Sequence, residues 1–222
     1  MEKRKFPIFQ ILFIIALIIF MLTFSIGLPI YCRFFYYAHI DALNLTRHGW
    51  SYEQIKEAYD QVLDFLTLPG HTFGTGDLAH SAEGASHFAD CKFLFTLNAV
   101  ALLISFVTLV ALIVLRIKGV IKSLTIGKFS VFFYAGIIAV ALPLIVGGLA
   151  SIDFNTAFEI FHTIFFPGKD NWVFNPYTDQ IILVMPQQFF MNCAILIGAS
   201  LLVLSIACVA FDVIRLKKNK SI

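Results

Sequence analysis

Four long stretches of uncharged, mostly apolar residues alternate with polar segments along this 222-residue chain. They run from Ile11 to Tyr31, from Phe93 to Leu115, from Phe129 to Ile152 and from Phe189 to Phe211. An α-helix rises about 1.5 Å per residue, so each stretch is long enough to cross roughly 30 Å of hydrocarbon. The pattern predicts an all-α polytopic membrane protein with four transmembrane helices.

The polar segments between these stretches set the expected domain organisation. We expect a single membrane domain over residues 1–222, with an outer cap formed by two loops, residues 33–92 and 152–186. The first span is too long for a cleaved signal peptide and lacks a small-x-small cleavage motif, so we interpret it as a retained anchor. The expected spans are about residues 9–32, 93–116, 129–151 and 187–212.

Basic residues are distributed unevenly, which predicts the orientation. Eleven of the sixteen Lys and Arg residues lie before the first span, between the second and third spans, or after the fourth. Residues 33–92 and 153–188 instead hold twelve of the fourteen acids. Because basic residues favour the cytoplasmic side, both termini are expected in the cytoplasm and the cap on the extracytoplasmic face of the membrane.

Composition narrows the class of protein and its partners. The chain is 59% hydrophobic and only 14% charged, which is not typical of a water-soluble domain. A net charge of +2 gives no reason to expect nucleic acid as a partner. The basic segments are expected to contact anionic membrane lipids instead.

The four cysteines follow no metal-binding pattern. Cys32, Cys91 and Cys193 lie near the outer ends of spans, where two of them could form a disulfide or all could remain buried thiols. Cys208 lies deep in the fourth span and is expected only to pack. No CxxC pair is present, so no thiolate metal site is expected.

The first outer loop carries signals of two helices. Ser51 and Gln54 form a capping-box pattern before an amphipathic stretch that extends to Leu66. A second helix is expected to begin at Ser81 and to continue without a break into the second span. The apolar stripe of the first helix consists of Ile55, Tyr59, Val62 and Leu66.

His87 is the first candidate catalytic residue. It lies six residues before Phe93, which places it about 9 Å outside the hydrocarbon, in the headgroup layer. Glu83 and Asp90 share its helix face and could fix the imidazole tautomer and raise its basicity. The alternative is a solvated helix end with ordinary salt bridges.

His162 is the second candidate, in a loop rich in aromatic residues that is expected to lie in the membrane interface. Helical spacing brings Glu159 within one turn of it. Phe161, Phe166 and Trp172 are candidates to shape a substrate pocket around it. The alternative is an aromatic belt that contains a histidine by chance.

Two histidines at the depth of lipid ester groups suit acyl transfer. A neutral imidazole can accept a proton from an attacking amine, and an imidazolium can protonate a leaving alkoxide or stabilise an oxyanion. This chemistry requires no metal, redox cofactor or ATP, so no cofactor is expected.

Two motifs accompany the four spans. The first lies at the mouth of the second span, with Ser81, His87, Asp90 and Lys92. The second and more specific motif comprises Phe161-His162-Thr163-Ile164-Phe165-Phe166, Asn171-Trp172-Val173-Phe174-Asn175-Pro176, Asp179, Pro186 and Phe189-Phe190. With these motifs the chain resembles, over nearly its whole length, the bacterial lipoprotein intramolecular transacylase family, which implies a place in a bacterial cell membrane.

The resemblance implies four transmembrane helices beneath an extracytoplasmic cap. It also implies a shift of the sn-2 acyl chain of a diacylated lipoprotein to the amino group of its N-terminal cysteine, giving the lyso form. The family's two catalytic histidines fall on His87 and His162. Which of them would be the base and which the acid stays open at this point.

Two other functions remain as alternatives. A metal-dependent membrane hydrolase could use His71, Asp77, His80 and His87, although the glycines before Ser81 argue against a helix that would align them. A non-catalytic scaffold would tolerate loss of both histidines. A transporter is disfavoured because the central stretches of the spans hold no ionisable residue.

Overall fold

Long helices dominate the computed structural model, which describes residues 7–218. The helices are α1 (Ile8–Tyr31), α2 (Arg33–Ala42), α3 (Tyr52–Thr67), α4 (Ala82–Ile117), α5 (Val131–Ile152), α6 (Phe154–Phe165), α7 (Ile181–Val184) and α8 (Gln187–Lys218). A 3-10 turn (Leu45–His48) follows α2, and a hairpin of β1 (Thr125–Ile126) and β2 (Phe129–Ser130) precedes α5. Four helices, α1, α4, α5 and α8, are long and apolar enough to cross a membrane, which confirms the predicted fold class.

The first of two compact units contains most of the apolar helices. It combines the chain up to Ile26 with Ala99–Gly148 and the chain from Ile197 onward. Buried side chains from all four long helices, among them Phe13, Leu109, Val131 and Leu201, form its core. Many other apolar side chains of these helices are exposed, as expected for surfaces that face lipid.

The hairpin is an element that the apolar pattern did not predict. Gly127 takes a left-handed φ of 62° at its turn. The backbone N–H of Ser130 donates to the buried carboxylate of Asp212 at 3.1 Å, and Arg215 pairs with the same carboxylate at 2.9 Å. These contacts fasten the hairpin to the end of α8.

The second unit comprises Gly27–Asn98 and Leu149–Leu196 and holds both candidate histidines. The capping box of α3 is confirmed, since Ser51 and Gln54 each accept a hydrogen bond from the other's backbone N–H. The predicted stripe of α3 is also confirmed as core. Tyr36 of α2 stacks on Tyr59 at 3.7 Å and donates its hydroxyl hydrogen to the Val184 carbonyl at 2.7 Å.

Helix α4 begins at Ser81, as predicted, and continues into the second span. The Ser81 hydroxyl accepts from the Gly84 N–H at 2.9 Å. The buried carboxylate of Asp179 in turn accepts from both the backbone N–H and the hydroxyl of Ser81, each at 2.8 Å. With 36 residues α4 is about 54 Å long, so its polar first turns must extend beyond the hydrocarbon.

All four cysteines are free thiols, so the disulfide alternative does not hold in this structure. The Cys208 sulfur lies 3.8 Å from the Met21 sulfur within the first unit, in agreement with a packing role.

Candidate active site

The second unit brings the two candidate histidines together. His87 lies in the second turn of α4 and His162 in the last turn of α6, and their ring centroids are 5.7 Å apart. Both side chains are buried, at 7% and 6% exposure. The Asp153 carboxylate caps the start of α6 by accepting from the N–H groups of Asn155 and Thr156.

The tautomer of His162 is fixed by its own helix. Its Nδ1 lies 2.7 Å from the carbonyl oxygen of Phe158. Because a carbonyl oxygen only accepts, Nδ1 carries the proton and Nε2 holds a free lone pair. Within residues 7–218 this Nε2 makes no hydrogen bond, so it is available to a substrate proton.

Aromatic rings enclose the pair. Trp172 stacks on His162 with ring centroids 4.5 Å apart, and Phe161 meets the same ring edge-on with centroids 5.3 Å apart. The ring centroids of Phe166 and His87 are 4.9 Å apart. The three predicted pocket residues therefore all contact a histidine. Two further rings, which the sequence reasoning did not select, complete the enclosure. The Phe158 centroid lies 4.3 Å from that of His162, and the Phe174 centroid lies 5.5 Å from that of His87.

This enclosure keeps both imidazoles neutral at pH 7. The pKa of His87 is lowered to about 4, mainly by burial and also by the nearby His162, while the negative charge of Asp90 opposes the shift. Burial also lowers the pKa of His162, partly offset by the hydrogen bond to Phe158. Neutral imidazoles are the form that can accept protons from a substrate.

Asp90 lies beside the pair but is held by other partners. Its carboxylate forms an ion pair with Lys169 at 2.5 Å and accepts from the carboxamide nitrogen of Asn171 at 3.1 Å. The hydrogen bond from Lys169 is the main reason that the pKa of Asp90 is lowered. Asp90 therefore acts on His87 through its charge and not through a direct hydrogen bond.

The expectation that Glu83 and Glu159 orient the imidazoles does not hold in this structure. Both side chains are exposed, and within residues 7–218 neither carboxylate bonds to a histidine. Helical spacing permits such contacts without requiring them. For His162, the Phe158 carbonyl already occupies the nitrogen that a carboxylate would take.

Cys91 is a neighbour of His87 that the sequence reasoning did not place in the site. Its sulfur lies 3.3 Å from Nε2 of His87, one helical turn away. Burial raises the pKa of the thiol to about 12, so the sulfur stays protonated and can donate to that nitrogen. The sequence did carry a signal for both neighbours, because Cys91 lies four residues after His87 and Phe158 lies four residues before His162, one helical turn in each case.

The residues of the metal-hydrolase alternative serve other contacts. His80 shares a hydrogen bond with Thr75 at 2.9 Å, and the Asp77 carboxylate accepts from Gln54 at 2.9 Å. In the part of the chain that the structure describes, no three His, Cys, Asp or Glu side chains are grouped to hold a metal ion. That alternative therefore lacks a ligand set.

The family model of the lipoprotein intramolecular transacylase Lit matches residues 11–190 of this chain. The chain belongs to the Lit family. Membership makes it an acyltransferase that acts on lipoproteins, and the scaffold alternative is set aside. Among curated proteins, none matches the chain's sequence.

Solved Lit structures share the fold. The membrane-integral Lit from Bacillus cereus, determined in meso, is 25% identical with a TM-score of 0.84 over 96% of each chain. Two further structures of that protein each carry a substitution of one histidine, by arginine or by alanine. Both are 24% identical with TM-scores of 0.78, covering 96% and 97% of this chain and 93% and 95% of theirs.

Proposed function

We propose that this Lit-family chain moves the sn-2 acyl chain of a diacylated lipoprotein to the amino group of the N-terminal cysteine, and that His87 and His162 carry the reaction. The observation that supports this most is the pair of buried, neutral imidazoles with centroids 5.7 Å apart. They come from separate segments, and both contact the ring of Phe166. Acyl transfer to an amine has one proton to remove and one to deliver, and two neighbouring imidazoles can do both.

The proton balance suits two imidazoles. The substrate amine enters largely as an ammonium, since an α-amino group has a pKa of about 7.7–8. As the N–C bond forms and the ester C–O bond breaks, the nitrogen loses two protons. One proton ends on the glyceryl oxygen, and the other leaves through the second imidazole.

The two environments suggest different roles. His162 offers a free Nε2 lone pair, so we assign it the proton that the amine loses during attack. His87 has the lower pKa, at about 4, so its protonated form is the stronger acid. We assign His87 the proton that the substrate ammonium gives up before attack and that then passes to the departing glyceryl oxygen.

The aromatic enclosure would supply positioning. Both reacting groups belong to one lipoprotein, so holding them in contact removes much of the entropic barrier. Trp172 and Phe166, which contact the imidazoles, would hold the glyceryl group against them. Phe161 is half exposed and would guide an acyl chain into the site.

We place the outer cap, residues 33–92 and 152–186, on the extracytoplasmic face and both termini in the cytoplasm, because of the asymmetry of basic residues. Tyr177 is 88% exposed and suits a labelling test. In a variant without native cysteines, Tyr177→Cys should react with a membrane-impermeant maleimide in intact cells. Labelling only after lysis would contradict this orientation.

The chemical test uses a synthetic lipopeptide with acyl chains of different lengths at sn-1 and sn-2. The shift yields an isomer, so tandem mass spectrometry must locate the chains. We expect the amide to carry only the sn-2 chain. A second lipopeptide with isotope-labelled chains should exchange nothing with the first, and an amide that carries the sn-1 chain or a chain from the other molecule would contradict the proposal.

A further inference from the structure

Two completely buried polar atoms beside the histidine pair have no hydrogen-bond partner within residues 7–218. They are Nδ1 of His87 and the carboxamide oxygen Oδ1 of Asn171. Buried polar groups are nearly always hydrogen-bonded, because an unpaired one retains its full desolvation cost. A protonated Nδ1 and an amide oxygen are complementary, so a single bond between them would satisfy both.

The orientation of the Asn171 carboxamide follows from chemistry. Its nitrogen lies 3.1 Å from the Asp90 carboxylate and 3.4 Å from the Ser86 hydroxyl. A carboxylate only accepts, so the nitrogen faces Asp90 and the oxygen is left for His87. The carboxamide is also close enough to His87 to raise the pKa of the imidazole.

The other ring nitrogen of His87 indicates the same tautomer. Nε2 lies 3.3 Å from the protonated sulfur of Cys91 and can accept its hydrogen. The opposite tautomer would turn an Nδ1 lone pair towards the Asn171 oxygen, which is repulsive. Both neighbours therefore favour a proton on Nδ1 and a lone pair on Nε2.

We propose that Asn171 is a positioning residue for His87, whose Nδ1–H donates a hydrogen bond to the carboxamide oxygen, so that Nε2 is the nitrogen that exchanges protons. The role rests on the proposed function of His87. Lys169 supports Asn171 in two ways, because its ammonium group holds Asp90 and its carbonyl oxygen accepts from the Trp172 indole at 3.0 Å.

The charged and titratable groups near His87 set the expected pH response. Asp90 and Cys91 lie on α4 itself, His162 belongs to α6, and Lys169 belongs to the segment after α6. Asn171 is neutral, so it steadies the imidazolium without adding charge. A carboxylate at the same position would stabilise that imidazolium further.

The test compares Asn171→Ala and Asn171→Asp, with the neighbouring Asp170→Asn as a matched surface control. In Asn171→Ala we expect kcat to fall roughly 10- to 100-fold, part of the 10²–10⁴-fold that a positioned acid or base provides. The acid limb of its pH profile should move to lower pH. Asn171→Asp keeps an oxygen acceptor for Nδ1 but loses the donor to Asp90, so its acid limb should move to higher pH instead of lower. Asp170→Asn should match the wild type.

The tautomer can also be read without activity. In protein with ¹⁵N-labelled histidine, His87 is assigned by its loss in His87→Gln, and a protonated Nδ1 is expected in the wild type. An Nε2-protonated His87, or an Asn171→Ala enzyme with unchanged kcat and pH profile, would overturn the inference. If Asn171→Ala fails to fold, an unshifted profile in Asn171→Asp overturns it.

Failure of the proposed function has a different outcome, namely a wild-type protein that gives no N-acylated product. The NMR result for His87 holds in either case, so the two failures are distinguishable.

Discussion

At the scale of single residues, burial accounts for most of the chemistry of the histidine pair. Aromatic rings replace water around His87 and His162, and the charged form of each imidazole is disfavoured. The charge of Asp90 favours the imidazolium of His87, but the ammonium group of Lys169, which is paired with Asp90, opposes that effect. Both histidines are therefore proton acceptors at neutral pH.

This burial predicts a pH-dependent stability. Between pH 6.5 and about 4 the unfolded His87 binds a proton while the folded one does not, so stability must fall as pH decreases through this range. We expect Tm in detergent to decrease more steeply for the wild type than for His87→Gln between pH 7 and 4.5. Parallel curves for the two proteins would show that His87 is not held neutral.

The two candidate histidines that lie together in the structure could be selected from the sequence, but their partners could not. Their positions relative to the apolar stretches predicted how deep they lie in the membrane. That depth is the depth of lipid ester groups, which indicated ester chemistry. The hydrogen-bond partners of a histidine depend on the direction in which each neighbouring side chain points. Spacing along a helix does not predict that direction. Glu83 and Glu159 are exposed to solvent, whereas Asn171, from a loop 84 positions further along than His87, is close enough to raise the pKa of the imidazole.

At the scale of elements, the start of α4 decides where His87 lies. Asp179 locks Ser81 at the N-terminus of this helix, and the carboxylate also interacts favourably with the helix dipole. The Asp179 carboxylate can approach Ser81 because Gly84 has no Cβ. A Cβ at this position would lie 2.2 Å from the Asp179 carboxylate oxygen.

Gly84→Ala should therefore destabilise the protein. Losing this cap and its buried hydrogen bonds costs about 2 kcal/mol, which is roughly 4–8 °C in Tm for a chain of this size. Gly147→Ala in α5 is the matched control, since a Cβ there meets open space and alanine favours helix. A Gly84→Ala variant as stable as Gly147→Ala would contradict this role of the carboxylate.

Elements with a local signal were predicted well. The capping box and stripe of α3 are encoded within sixteen residues, and the apolar runs define the long helices. The hairpin before α5 was missed because each of its strands has only two residues. The contact between Asp179 and Ser81 was missed because it joins positions 98 residues apart.

At the scale of the whole molecule, four apolar helices and a Lit-family match over residues 11–190 make this chain a membrane-integral acyltransferase. The four long apolar stretches of the sequence predicted a membrane protein, because few soluble proteins carry four of them. The depth of the two histidines suggested acyl transfer, and the resemblance to the transacylase family implied a lipoprotein substrate, which the family match supports. The proposed orientation still depends on basic residues alone, which is why the labelling of Tyr177→Cys has independent value.

The most direct test of the account is the rate at which purified protein converts a synthetic diacylglyceryl-cysteine lipopeptide to its N-acylated isomer, followed by tandem mass spectrometry. His87→Gln and His162→Gln should each lower the rate roughly 10²–10⁴-fold, and the double variant should lose little more, since the pair acts as a unit. His71→Gln, at an exposed histidine outside the site, should match the wild type. If either His87→Gln or His162→Gln, with wild-type Tm, formed the isomer at the wild-type rate, that histidine would have no part in the reaction.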